Sequence, residues 1–355
     1  MKRSTQIVIA VLALVVIGAA IVASRSPMPT NLLPSFSQPS PLTASSTSSD
    51  LPVLADAMPP FGGITKWYNT ANDQPLTPES LKGKVVLVDF WTYSCINCIR
   101  TYPFLKSMHD KYADKGLVIV GVHTPEFAFE ADPNNVGREI EKNGLKYPVA
   151  LDATYQTWNA YNNQYWPAEY FFDRQGRLRH VHFGEGEYDQ SEEAIRALLA
   201  ENGEMLEPMG TAVPTQDFSD IQTNETYFGL NRGNAFMGGP QDANKDTDFT
   251  LASTVAPNQW SLGGTWRFTP EHIESRAADA TFRFNIQANE THLVMDATDG
   301  KDKHVDVYVD GKKVGSIIVN ASTLYTVAKT KDGKRHVIEL RIHEAGVRLY
   351  AATFS

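Results

Sequence analysis

Apolar and polar positions along the chain change rhythm more than once, and each rhythm predicts an element. Val85–Trp91 (VVLVDFW) is an apolar, β-branched run broken only by Asp89 and reads as a buried strand. Ile99, Tyr102, Leu105 and Met108 then recur at helical spacing, so Ile96–Tyr112 reads as a helix, with Pro103 expected to kink it. Gly116–His123 reads as a strand, Asn134–Asn143 as a helix and Tyr147–Leu151 as a short strand. Tyr165–Asp173 is a loop running into a strand, and the turn Asp173–Gly176 joins it to Leu178–Phe183. Glu192–Glu201 is a closing helix with Ile195, Leu198 and Leu199 on one side. After about Glu207 the period becomes two. Phe282, Phe284 and Ile286 alternate with polar residues, as do Val305, Val307 and Val309, and Ile338, Leu340 and Ile342. Period two predicts half-buried antiparallel strands. Asp310-Gly311 is a hairpin-turn signal, and Val347–Phe354 reads as a final strand. Several such strands over ~130 residues predict a β-sandwich.

The N-terminus follows neither rhythm. Lys2 and Arg3 precede an uncharged run, Ile7–Ala23, of seventeen residues. As a helix it is roughly 25 Å long, near the lower limit for a span and slightly long for a signal-peptide core. Residues 1–25 are therefore expected to be a single membrane anchor, with a cleaved signal as the alternative. Positive charge at the very start keeps that end in the cytoplasm, so either way the body of the protein is expected outside it. From Ser24 to Asp50, seventeen of twenty-seven residues are Ser, Pro or Thr. Such a segment buries too little apolar surface to offset its ordering entropy, and residues 26–58 are expected to be a flexible linker. Domains are then expected at 59–207 and 208–355. A length of 355 residues accommodates both, and 42% apolar content is ample for two cores. The net charge of -9, without a Lys/Arg cluster, argues against general nucleic-acid binding.

The chain holds only two cysteines, Cys95 and Cys98, in Cys-Ile-Asn-Cys. A disulfide across two residues closes a tiny loop and restrains the unfolded chain little, so its value as a staple is low. Zinc needs two further ligands at suitable spacing, and the nine histidines form no HxxxH-type pair. Redox chemistry is the remaining use. Cys95 falls at the N-terminus of the predicted helix, where free N–H groups and the helix dipole favour the reactive thiolate. It is the candidate nucleophile. Cys98, one turn in and more buried, is the candidate resolving thiol.

Asp89-Phe90-Trp91, three further residues and then Cys-x-x-Cys resemble the active site of thioredoxin-fold proteins. Leu81–Trp91 (LKGKVVLVDFW) is similar to TlpA-like thiol–disulfide proteins of bacterial envelopes. WTYSCINCIRTYPFL, WPAEYFFD and Glu225–Gly229 resemble the extracytoplasmic part of DipZ-type proteins, over roughly residues 59–355. The resemblance implies an α/β thioredoxin-like domain followed by an all-β sandwich of galactose-binding or carbohydrate-module type. It implies a cis-proline at Pro167 facing the cysteines, and a buried acid at Asp89 that moves the proton of the second cysteine. An acid near the site after the Gly116–His123 strand is implied as well, with Glu126 the candidate and Glu130 an alternative. Trp91, Tyr93, His123 and Trp166 are candidates for a substrate groove, although core packing accounts equally for Trp91 and His123. Full DipZ proteins carry a multi-span CcdA-like domain that these residues do not include, so the resemblance implies electrons from a separate CcdA-like membrane partner.

The expected function is an extracytoplasmic, membrane-anchored thiol–disulfide oxidoreductase acting on envelope proteins, with only the family resemblance suggesting a link to cytochrome c maturation. No cofactor and no metal are expected. A redoxin-type peroxidase is one alternative: Thr92 fits the hydroxyl residue expected three positions before the reactive cysteine, but Val88 stands where that chemistry wants proline. A glycan-binding surface protein with an ancillary redox domain is another, with Trp260, Trp266, Tyr308, Tyr325 and Tyr350 as candidate sugar platforms.

Overall fold

The computed structural model describes residues 51–201, 203, 205–207 and 219–355. The predicted anchor, and the linker as far as residue 50, lie outside the described residues. Among the described residues no helix is long and apolar enough to cross a membrane. Residues 51–58 are not linker. The Leu54 N–H donates to the Leu178 carbonyl at 2.7 Å, the Arg179 guanidinium grips the Leu51 carbonyl, and Met58 is buried. Backbone pairing, invisible to composition, holds this stretch down.

The first domain runs β1 (Lys66–Tyr68), β2 (Val85–Trp91), α1 (Ile96–Tyr112), β3 (Leu117–His123), α2 (Pro133–Asn143), β4 (Val149–Leu151), α3 (Gln156–Ala160), β5 (Ala168–Phe172), β6 (Leu178–Phe183) and α4 (Tyr188–Ala200). Its sheet has the order β1-β4-β3-β2-β5-β6, with β2, β3 and β4 parallel and the other pairings antiparallel. β2 lies at the centre and is buried along its whole length, which is why it reads as a continuous apolar run. Leu87, Asp89 and Trp91 face α1, α2 and α4; Val86, Val88 and Phe90 face Met58, Trp67 and Trp158 of α3. The α1 helix continues through Pro103, whose side chain is exposed. The α4 helix starts at Tyr188, one turn before the predicted Glu192.

The second domain adds β7 (Thr226–Tyr227), β8 (Asp246–Phe249), β9 (Trp260–Phe268), β10 (Ile273–Ser275), β11 (Ala280–Gln287), β12 (Glu290–Ala297), β13 (Lys303–Val309), β14 (Lys312–Val319), β15 (Thr323–Lys329), β16 (Arg335–Ile342) and β17 (Val347–Phe354). The expected sandwich is one continuous sheet, β14-β13-β16-β11-β9-β10-β17-β12-β15, folded over at β9 around a single core. The first half of β9 pairs with β11 and the second half with β10. Gly264 sits between the halves at φ +84°, where a Cβ would meet the Ala280 Cα at 3.3 Å, so the bend requires glycine. The Asp310-Gly311 turn has φ values of 50° and 79°, as a type I′ hairpin turn needs.

Trp260, Trp266 and Tyr350 are buried in this domain, which removes them as sugar platforms. The Tyr325 hydroxyl is tied to the Ala321 carbonyl, and Tyr308 lies under the Arg341 guanidinium. β12 and β17 are buried on both faces for a specific reason. One face points into the sheet's own core. The other presents Val294, Tyr350 and Ala351 to Phe127 and Phe129 of the first domain. Tyr350 lies 5.2 Å from Phe127 and 4.8 Å from Phe129, ring centre to ring centre.

Candidate active site

The chain leaves β2 at Trp91 and turns through Thr92–Ser94 into α1. Cys95 is the N-cap. Its extended backbone lets Sγ accept from the Cys98 N–H at 3.3 Å, while its carbonyl accepts from the Ile99 N–H at 3.0 Å. The sulfur therefore sits on a helix N-terminus with a backbone donor aimed at it. Cys95 is half-buried, Cys98 is fully buried, and the two thiols are unbridged. Burial, and then the neighbouring Cys95, push the Cys98 thiol well above the usual range. One sulfur is accessible and the other shielded, as attack and resolution require.

Asp89 lies on β2 beneath this turn. It has no exposed surface, and neither carboxylate oxygen has a hydrogen-bond partner among the described residues. Burial, and then Glu169, raise it well above the carboxylate range. Glu169 is its direct cross-strand neighbour on β5. It too is buried, and it accepts from the Ser191 hydroxyl of α4 at 3.1 Å. Burial pushes its carboxyl up to about 7. Sequence reasoning missed Glu169, although an acid two positions into a strand bounded by apolar residues was the available signal. The Trp166–Pro167 peptide is cis. Trp166 lies beside Trp158, with its indole N–H on the Thr124 carbonyl at 3.1 Å.

The other expectations need correction. Trp91 and Tyr93 are fully buried, not groove residues. Trp91 packs edge-on against Tyr102 and His123, and Tyr93 stacks on His123 at 5.5 Å. Apolar area and the neighbouring β3 draw both rings inward. Glu126 is turned to the second domain: its carboxylate accepts from the Tyr227 hydroxyl and the Arg232 guanidinium, each at 2.9 Å. The acid that reaches the cysteine turn is Glu130, the alternative considered with it. Glu130 is fully buried and accepts from the Ser94 hydroxyl at 2.5 Å and from the N–H groups of Glu126 and Phe127 at 2.6 and 2.9 Å. Burial, then the nearby Glu126, push it up to about 7.

The second domain also reaches the site. A cleft of about 390 Å³ is lined on one side by Asn97, Arg100 and Glu185, and on the other by Thr223, Asn224, Glu225, Thr353 and Phe354. Asn97 is one of the two residues between the cysteines. The Arg100 guanidinium closes on the Glu185 carboxylate through contacts of 2.5 and 2.6 Å, so this pair is neutral. The loop that carries Glu130 is pressed between the cysteine turn and Tyr350.

An accessible N-capping cysteine, a shielded partner, a buried acid below and a cis-proline at the start of the neighbouring strand β5 define a thioredoxin-type dithiol site. Residues 53–199 match the family described as Redoxin, and residues 223–355 match the family described as Thioredoxin like C-terminal domain. The chain is 32% identical over 149 residues to the thiol-disulfide oxidoreductase YkuV of Bacillus subtilis, covering 42% of this chain and 97% of that protein. The chain belongs to the thioredoxin-like thiol-disulfide oxidoreductases. Its similarity to the DipZ proteins of Mycobacterium bovis and Mycobacterium tuberculosis extends over both domains: 37% identity over 299 residues, 83% of this chain. The chain spans 42% of the length of those relatives. A solved thioredoxin-like protein in its oxidized form is 32% identical over 41% of this chain and 97% of its own, with a TM-score of 0.38.

Proposed function

We propose that this protein is a membrane-anchored, extracytoplasmic reductase of disulfides in exported proteins. The observation that carries the chemistry is the pairing of half-buried Cys95 at a helix N-cap with fully buried Cys98 above a buried acid. The Cys95 thiolate attacks one sulfur of a substrate disulfide and the other substrate sulfur leaves as a thiolate. Cys98 then loses its proton and attacks Cys95 Sγ, which forms the Cys95–Cys98 disulfide and frees the second substrate sulfur. Two electrons pass from the protein to the substrate. A CcdA-like membrane dithiol restores the reduced form. Residues 1–25 anchor the protein, and the Ser/Pro/Thr-rich stretch lets the two domains reach partners at the envelope surface.

The two-sided cleft beside Asn97 supports a protein substrate. A small disulfide needs only the Cys95 sulfur, whereas a polypeptide segment can lie against both domains. Exported c-type apocytochromes are one class to assay. The deciding measurement is the reduction potential of Cys95/Cys98 in the full-length protein, equilibrated in thiol/disulfide buffers. A value near about -270 mV supports a reductase, and a value near about -120 mV reverses the direction to disulfide formation. Absence of a reversible Cys95–Cys98 disulfide defeats the reading.

A further inference from the structure

Beneath the cysteine turn, the core between the sheet and α1 contains an island of polar groups. Asp89 stands at its centre, flanked in register by Glu169 on β5 and by Gly121 on β3. A Cβ at Gly121 would lie 2.9 Å from Trp91 Nε1 and 3.1 Å from the Tyr147 ring, so these two rings close over the glycine. Trp91 Nε1, the Tyr102 hydroxyl, the Tyr147 hydroxyl and both Asp89 oxygens are buried without a partner among the described residues. Asp89 bears on Cys98, on Tyr102 and on Tyr147, and Glu169 bears on Tyr147. Neither carboxyl has a basic partner among the described residues. Two carboxylates side by side, both desolvated and without a cation, cannot both be ionised at neutral pH.

We propose that Glu169 is a positioning residue for the resolving step, sharing a proton with Asp89 so that the pair, and not Asp89 alone, receives the proton of Cys98. This rests on the oxidoreductase reading above. In the resting state the pair holds one proton. When Cys98 attacks Cys95 Sγ in the mixed disulfide, the pair takes up its thiol proton. Both carboxyls then stand neutral, and the charge leaves on the substrate thiolate. Ser191 donates to one Glu169 oxygen at 3.1 Å and so orients the carboxyl. The titratable groups around the pair are Cys98 and Tyr102 on α1, Tyr147 before β4, Tyr188 on α4, and His182 on β6, which is registered opposite Glu169. Burial lowers the His182 imidazole, keeping it neutral near pH 7, and its nearest carboxylate is Glu187 at 3.5 Å. Burial raises all three tyrosines further from neutrality. Glu169, raised by burial to about 7, thus gives the island an acceptor that titrates near neutrality.

The test mixes the reduced full-length chain with 5,5′-dithiobis(2-nitrobenzoate) in a stopped-flow instrument. Attack by Cys95 releases one thionitrobenzoate, and resolution by Cys98 releases a second. Across pH 5.5–9 the second phase, divided by the first, is expected to rise through an inflection near pH 7. That inflection is expected to vanish in Glu169→Gln and to return in Glu169→Asp. Ser191→Ala removes a hydrogen bond that favours ionised Glu169, so its inflection is expected to move up by about half to one pH unit. An unmoved inflection in Glu169→Gln overturns the proposal. If that variant does not fold, an unmoved inflection in Ser191→Ala does so instead. Failure of the wild type to release any thionitrobenzoate overturns the oxidoreductase reading itself, a different result from two normal phases without the pH signature.

Discussion

Glu130 is expected to make the stability of this protein fall as pH rises, and replacing it with glutamine should flatten that dependence. In the folded chain its carboxyl titrates at about 7, against an ordinary value of 4.5, chiefly because it is buried. A group raised on folding binds its proton more tightly in the folded state. The stability it contributes is complete below about 4.5 and is lost progressively as pH rises through about 7. With about 1.4 kcal/mol per pKa unit, the loss between pH 5 and pH 8 is about 2.5 kcal/mol. In Glu130→Gln the new side chain is neutral throughout and keeps an oxygen for the N–H groups of Glu126 and Phe127, which donate at 2.6 and 2.9 Å. Its amide can still meet Ser94. The measurement is urea unfolding of both proteins at pH 5 and pH 8, followed by tryptophan fluorescence. The difference in unfolding free energy, variant minus wild type, should grow by about 2.5 kcal/mol from the lower pH to the higher. A change under about 1 kcal/mol refutes the idea that this buried carboxyl is held protonated.

Three further outcomes are expected. Cys98→Ser should accumulate a stable mixed disulfide through Cys95, visible as a mass adduct with substrate, whereas Cys95→Ser should show no adduct and no turnover. Tyr350→Ala removes the ring packed against Phe127 and Phe129; denaturant unfolding should show a loss of about 3–5 kcal/mol, and disulfide exchange should slow because the loop that holds Ser94 is released. Gly264→Val forces a β-branched residue into φ +84° against Ala280; a loss of at least about 2 kcal/mol is expected, read as a drop in thermal midpoint.

The first domain was legible along most of its length because its pattern is local. β2 and α1 have the bounds that their apolar spacing predicts, and Cys95 caps the helix as its position implies. β1 and α3 escaped notice because three and five residues carry too little periodicity to read. In the second domain, β11 alternates cleanly and was predicted; β12 does not. β12 is buried on both faces, one inside its own sheet and one against the neighbouring domain, so its alternation is erased. The same contact explains Glu126 and Glu130. Four residues apart and identical in type, they differ only in surroundings: one reaches Arg232 and Tyr227, the other Ser94.

The sequence by itself determined the chemistry. Two cysteines three positions apart, at the junction of a buried strand and a helix, leave redox exchange as their use, because strand, turn and helix are each encoded within a few residues. Tertiary structure alone decided which groups stand around those cysteines. The pairing of Asp89 with Glu169 depends on the register of strands eighty residues apart, and the cleft beside Asn97 on how two separate cores meet. Residues distant in sequence share a site only after packing, and no local pattern records that meeting.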